Sequence, residues 1–481
     1  MGLLRPSHPT DLAGSRAARF RRAPAVLLCA LLLLSGSWPI LAEAASSRAS
    51  TPWPQFQGDA AHAGVGPAGQ AAPPYRRAWR FVAPGKERGL SGPVIAGGVA
   101  VAAGRVAVYS VDVRDGRPAW QLPRAGGPLE AQPAVAGSGR RSVLLFAEGH
   151  LARDSRVRAY ALATQKHLWD AQLQDVSSSG ISVDAGTAFV GDRSGTLYAI
   201  DVSSGHLLWK FRGDGVIDAP PAVADGRVYA VTANRSTGAV QLIEVDERTG
   251  KLGWRFEPPQ LATFGTAPTV HDGSVYVGMG NRVVYALDAR SGKERWSSYT
   301  VSMFSPVVGS AIAGGDLVVS ATYPLSAGVG LYRLDAPTGD RESWFQFDSF
   351  DLLSSPVIAG RYALMGLDDG RLVAVDTRSG HEAWEQGTGP GALGAIAPGG
   401  DVMVASKSGA DGGLVAFRHD PSGQQIDVTS RTELDLPLSL RNYALTFVLI
   451  AGGVLLLARL TARWRRPEDE TDHGPETEEL V

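Results

Sequence analysis

Seven tryptophans, at positions 120, 169, 209, 254, 296, 344 and 384, stand 49, 40, 45, 42, 48 and 40 residues apart, and that near-constant step limits what the chain can fold into. Most of them close the same phrase: a short apolar strand, a Gly-containing turn, a second strand, then Asp, a Ser/Thr-Gly turn and Trp. The fullest copies are Ala199 to Trp209, Ala286 to Trp296 and Ala374 to Trp384. Asp112/Trp120 and Asp246/Trp254 keep the same eight-residue spacing, and Asp335/Trp344 is stretched to nine. The copy ending at Trp169 reads as degenerate, with a shortened turn and no matching Asp. One step of this length holds four short strands and their turns, the content of one propeller blade.

Each part of the phrase has a physical reason. Asp at a strand end can accept hydrogen bonds from the following turn, and Gly takes the positive φ that closes it. Trp on an outer strand offers a large apolar area to the neighbouring blade while its indole N–H finds an acceptor. A four-stranded blade is too small to bury a core alone, so the repeats must stack around a ring. The last repeat, Ala395 to Phe417, lacks a terminal Trp, whereas Trp79 marks an outer strand with no blade before it. Joined, they give one blade and a total of eight. The expected fold is all-β: an eight-bladed β-propeller over residues 76–420 whose N-terminal strand closes the last blade, led in by residues 45–75 and followed by one C-terminal transmembrane helix.

The motif Ala-x-Asp-x-x-Thr/Ser-Gly-x-x-x-Trp, with the opening Trp53-Pro-Gln-Phe-Gln-Gly-Asp59, resembles the PQQ-type repeats of quinoprotein-dehydrogenase-like propellers, where it is called the tryptophan-docking motif. The resemblance covers roughly residues 53 to 420. It implies structural docking roles for Trp79, Trp120, Trp169, Trp209, Trp254, Trp296, Trp344 and Trp384. It also implies one of two functions: a dehydrogenase holding pyrroloquinoline quinone and calcium at the axis, or a cofactor-free scaffold such as the propeller lipoprotein of outer-membrane β-barrel assembly.

The two ends place the chain at a membrane. Arg16, Arg19, Arg21 and Arg22 precede the apolar run Ala25 to Leu34, and Ala42-Glu43-Ala44 supplies small residues at cleavage spacing, so residues 1–44 read as a secretory signal. The only cysteine, Cys29, lies inside that run, which leaves the mature chain without thiols. After a linker at 421–441, residues 442–460 form an apolar span, with Arg459, Arg463, Arg465 and Arg466 crowding its far side against the lone Arg441. Arginine excess marks the cytoplasmic side, so the propeller is expected on the extracytoplasmic side of the plasma membrane and the acidic tail 461–481 inside.

Composition and motifs exclude other classes. With 46 basic and 48 acidic residues, a net charge of −2 and no tract of like charge inside the repeats, nothing asks for nucleic acid. The histidines form no HExxH or HxH pair, and His206 and His381 occupy a turn position that elsewhere holds Arg117, Lys251 or Lys293. Asp368-Asp369-Gly370 reads as a hairpin turn and not as a cation site. The most informative positions precede the inner strands, whose starts carry Pro93, Pro133, Pro221, Pro268 and Pro356. Three residues before two of these prolines stand Glu130 and Asp218, with Phe264 and Asp351 close to two others, which makes them the candidate axial face. The chain is read as a membrane-tethered propeller that binds a protein or envelope polymer without catalysis, cofactor or metal. A PQQ and calcium dehydrogenase and a ligand-sensing ectodomain are the alternatives.

Overall fold

A computed structural model describes residues 51–422, except 68–69, 86, 130, 235, 261, 263, 300–306, 324–327 and 348–353. The repeats fold into eight four-stranded antiparallel sheets. Blade 1 runs Val94–Ala96, Val99–Ala103, Ala107–Asp112 and Pro118–Pro123 from the axis outward, and the next six blades repeat that order. Blade 8 takes Leu393–Pro398, Val402–Lys407 and Gly413–His419 from the C-terminal end and its outermost strand, Tyr75–Val82, from the N-terminal end. Trp79 pairs with Ala416, as the repeat count requires. Inner strands touch from blade to blade, and Leu393–Pro398 meets Val94–Ala96 to complete the ring.

The core lies between blades. One cluster joins Leu145, Val157 and Trp169 of blade 2 to Val190, Tyr198 and Ile200 of blade 3, and similar layers fill the other junctions. Indole docking fixes their spacing. Nε1 of Trp79, Trp169, Trp209, Trp254 and Trp296 donates to the carbonyl just after the repeat Asp of the next blade, at Val113, Val202, Glu247, Ala289 and Ala336, over 2.7 to 3.1 Å. The turn glycine of that next blade lies flat under the indole. A Cβ at Gly116, Gly205, Gly250, Gly292 or Gly339 would stand 2.5 to 2.6 Å from the ring, so Gly is needed for the close approach as well as for its positive φ.

The turn before Trp169 corrects the sequence reading. It has full length: Gln165 takes the glycine position at φ 56°, and its N–H reaches Ala161 O at 2.8 Å as Gly205 N–H reaches Asp201 O. Gln165 Nε2 also donates to Leu162 O at 2.7 Å, the carbonyl that the preceding indole uses elsewhere in the ring. The amide side chain thus supplies the donor that the docked indole supplies elsewhere, and the turn keeps its backbone bond without the Asp.

Among the described residues no helix is long and apolar enough to cross a membrane. The signal at 1–44, the span at 442–460 and the tail at 461–481 lie outside the described residues.

Candidate functional site: a plugged axis and its faces

Residues 51–67 and 70–71 meet the blades in their order around the axis. Thr51 N–H meets Gly399 O of blade 8, and Trp53 exchanges two backbone bonds with Ile95 of blade 1. Pro54 O accepts from Val135 of blade 2, Ala60 O from Val223 of blade 4, Ala61 O from Val270 of blade 5, Ala63 O from Ile312 of blade 6 and Gly64 O from Ile358 of blade 7. Ala71 N–H then returns to Gly400 O in blade 8. At blade 3 the Gln55 side chain takes over, accepting from Val183 N–H at 2.6 Å and donating to Val183 O at 3.1 Å. The chain itself thus places at least one hydrogen bond on the inner strand of blades 1 to 7 and on the turn that follows the inner strand of blade 8.

The sequence of this segment suits the task. Pro52 and Pro54 hold extended backbone. Gln57 Nε2 reaches Ser310 O and Pro356 O, bridging blades 6 and 7. Gly58, at φ 87°, packs where a Cβ would sit 2.6 Å from the Trp53 ring. His62 is fully buried, edge-on to Phe56. Its Nδ1–H donates to Pro268 O of blade 5 at 2.9 Å, so Nε2 accepts from the Ser182 hydroxyl of blade 3 at 3.1 Å. Burial lowers its pKa to about 4, which keeps the ring neutral. Asp59 caps the turn by accepting from Ala63 N–H, and the surrounding protein raises its carboxyl above the ordinary range although water reaches it.

On the face where the inner strands begin, the buried charges brace loops. Asp192, fully buried, accepts from Asp175 N–H, Thr196 N–H and the Tyr198 and Ser194 hydroxyls. Arg124 donates to Gly104 O, Pro128 O and Ala147 O, tying blade 1 to blade 2. Lys407 gives its ammonium to Thr388 Oγ1, Gly389 O and Gly391 O. None of this was legible in the sequence, because such side chains are distinguished from surface ones only by the loops that fold over them.

Of the four candidate axial residues, Asp218 is exposed on the loop between blades 3 and 4, and Phe264 is 41% exposed between blades 4 and 5. Glu130 and Asp351 lie outside the described residues. Phe264 belongs to a larger patch on blade 5. Its carbonyl accepts from Gly280 N–H at 2.7 Å; two residues on, the Arg282 guanidinium lies over the ring of Tyr299, itself 51% exposed. Gln260 Nε2 anchors the Tyr299 hydroxyl at 2.6 Å.

For the quinone and its calcium, the described residues offer no assembled set of donors. Among the described residues no three His, Cys, Asp or Glu side chains converge, and the buried carboxylate Asp192 is spent on its own loop. Toward the axis, the inner strands of blades 1 to 7 bond to residues 53–66.

The sequence model of a family described as outer membrane protein assembly factor BamB matches residues 153–260 and 240–397. The BamB of Moranella endobia is 26% identical over 60% of this chain and 71% of its own length. The crystal structure of BamB from Moraxella catarrhalis superposes with a TM-score of 0.53 at 18% identity, covering 73% of this chain and 99% of that one. Quinohemoprotein alcohol dehydrogenase ADHIIG from Pseudomonas putida superposes at 0.61 with 13% identity, over 79% of this chain and 82% of the enzyme. Both superpositions show the fold alone.

Proposed function

Because the chain belongs to the PQQ-type repeat β-propellers matched by the BamB family, we propose that it is a protein-binding scaffold of the cell envelope, one that assists the assembly of membrane proteins. The observation that carries this reading is the blade 5 surface. Phe264, Arg282 and Tyr299 combine exposed aromatic area with a guanidinium, the residue types that dominate protein interfaces, on a rigid hairpin held by Gln260 and Gly280. Asp218 adds a carboxylate one loop away on the same face.

The tether completes the proposal: residues 1–44 direct export, 442–460 hold the propeller at the plasma membrane with its repeats outside, and 461–481 stay within. The 21-residue linker at 421–441 can extend to roughly 70 Å, so it sets a reach and not an orientation. A photoreactive side chain at position 264 or 299 in the membrane-bound chain should give discrete protein adducts, weakened by Arg282→Glu, while one at position 381, in an exposed turn of blade 7 on the opposite face, should not. Adducts of equal yield from all three sites would remove the support for this surface. Calcium and pyrroloquinoline quinone added to the same preparation should give no substrate-dependent dye reduction. Stoichiometric binding with turnover, lost in Asp218→Asn or Glu130→Gln, would establish the dehydrogenase instead.

A further inference from the structure

On the opposite face, between blades 2 and 3, a cleft of about 660 Å³ opens beside the axial segment. Two local departures from the repeat create it. The first turn of blade 2 is long, running through a 3-10 turn at Gly139–Arg141, where blade 4 turns through Asp225-Gly226 and blade 5 through Asp272-Gly273. At blade 3 the axial segment stands off, with the Gln55 side chain filling in for its backbone. The floor is apolar, formed by Pro54, Val135, Val183 and Val202. Arg141 stands at one wall and Asp184 and Asp201 at the other.

These walls are not neutralised internally. Arg141 is exposed and Asp184 half-buried, and among the described residues neither has an ion-pair partner. Asp201 uses Oδ1 for the Ser203 and Ser204 hydroxyls. A lone anion would meet Asp184 and a lone cation would meet Arg141, so the cleft selects a ligand that carries both charges across an apolar middle. Its volume lies within the range that suits a small ligand. We propose that this cleft binds a short peptide segment with one basic and one acidic side chain, its cation at Asp184 and Asp201 and its anion at Arg141.

The neighbouring carboxyl of Glu247, raised by burial and then by Asp184 and Asp246, agrees with an excess of negative charge on that wall. The site is separate from the blade 5 surface, so either can fail without the other. Calorimetric titration of the full chain in detergent with N-acetylated, C-amidated Lys-Pro-Val-Glu and with its reversed sequence tests the assignment. One of the two should bind saturably. The neutral Gln-Pro-Val-Gln peptide, which loses both ion pairs, should bind at least about fivefold more weakly, and the charged peptide should bind Arg141→Gln or Asp184→Asn about two- to fivefold more weakly, the loss of one exposed ion pair each. Thermal melts of the two variants should match the parent, since both side chains reach solvent. No saturable binding by either charged peptide, equal binding of the neutral one, or indifference to both substitutions would overturn the proposal.

Discussion

At the scale of single residues, the indole and the glycine beneath it act as one unit. Trp169, buried with its N–H on Val202, should cost about 3–5 kcal/mol when changed to Ala in chemical denaturation. Gly205→Ala should also destabilise, through its φ of 74° and the 2.5 Å approach to Trp169, but measurably less in a Trp169→Ala background, where the ring no longer blocks the Cβ. Additive losses would contradict direct contact. Trp120 should cost less than Trp169, because it is only partly buried and the carbonyl it would use is taken by Gln165. The pattern of Asp, Gly and Trp was readable because each is demanded by local geometry. Gln165 was not, since nothing in a lone glutamine announces a positive φ.

His62 gives a second prediction at this scale. Its pKa is near 4 in the fold against about 6.5 when unfolded, so between those values the unfolded chain binds more protons. The stabilisation is complete above pH 6.5 and is lost as pH falls toward 4, by about 3 kcal/mol. A His62→Gln variant, less stable at neutral pH, should lack this increment when the pH dependence of its unfolding free energy is set against the parent's. Parallel curves would show that the ring is not held neutral.

At the scale of elements, the axial segment is the part that sequence reading placed least well. Trp53 to Asp59 was visible as a motif, and residues 45–75 as a lead-in, yet its course around all eight blades depends on single backbone bonds that leave no periodic signature. Hydrogen exchange can read it directly. Amides of Val135, Val223, Val270, Ile312 and Ile358 each donate to it, so deleting residues 51–71 should speed their exchange together while the amides between the second and third strands of each blade stay protected. Selective exposure of one blade alone would argue against a continuous course. The candidate acids were harder still to judge. Sequence spacing put Asp218 and Phe264 at equivalent loops, and the structure gives them exposure, but it brings no described group of three metal donors together.

At the scale of the whole molecule, the strand Tyr75–Val82 joins the two ends of the repeat array, and a count of outer tryptophans against inner strands was enough to foresee it. Deleting residues 53–82 should leave blade 8 with an uncovered edge and the axis unlined, giving a species that aggregates and melts without a single cooperative transition. A soluble, cooperatively melting deletion mutant would contradict ring closure.

The same closure sets a timetable. Arg80 meets Asp411 across 331 residues of chain and His419 meets Ala72 across 347, so the first-made strand has no partner until almost the last repeat has been synthesised. At ordinary elongation rates that interval is roughly 20 to 60 s. Throughout it the nascent protein is an open arc with a bare strand at its leading end, and whatever shelters that strand determines how many chains reach the closed form.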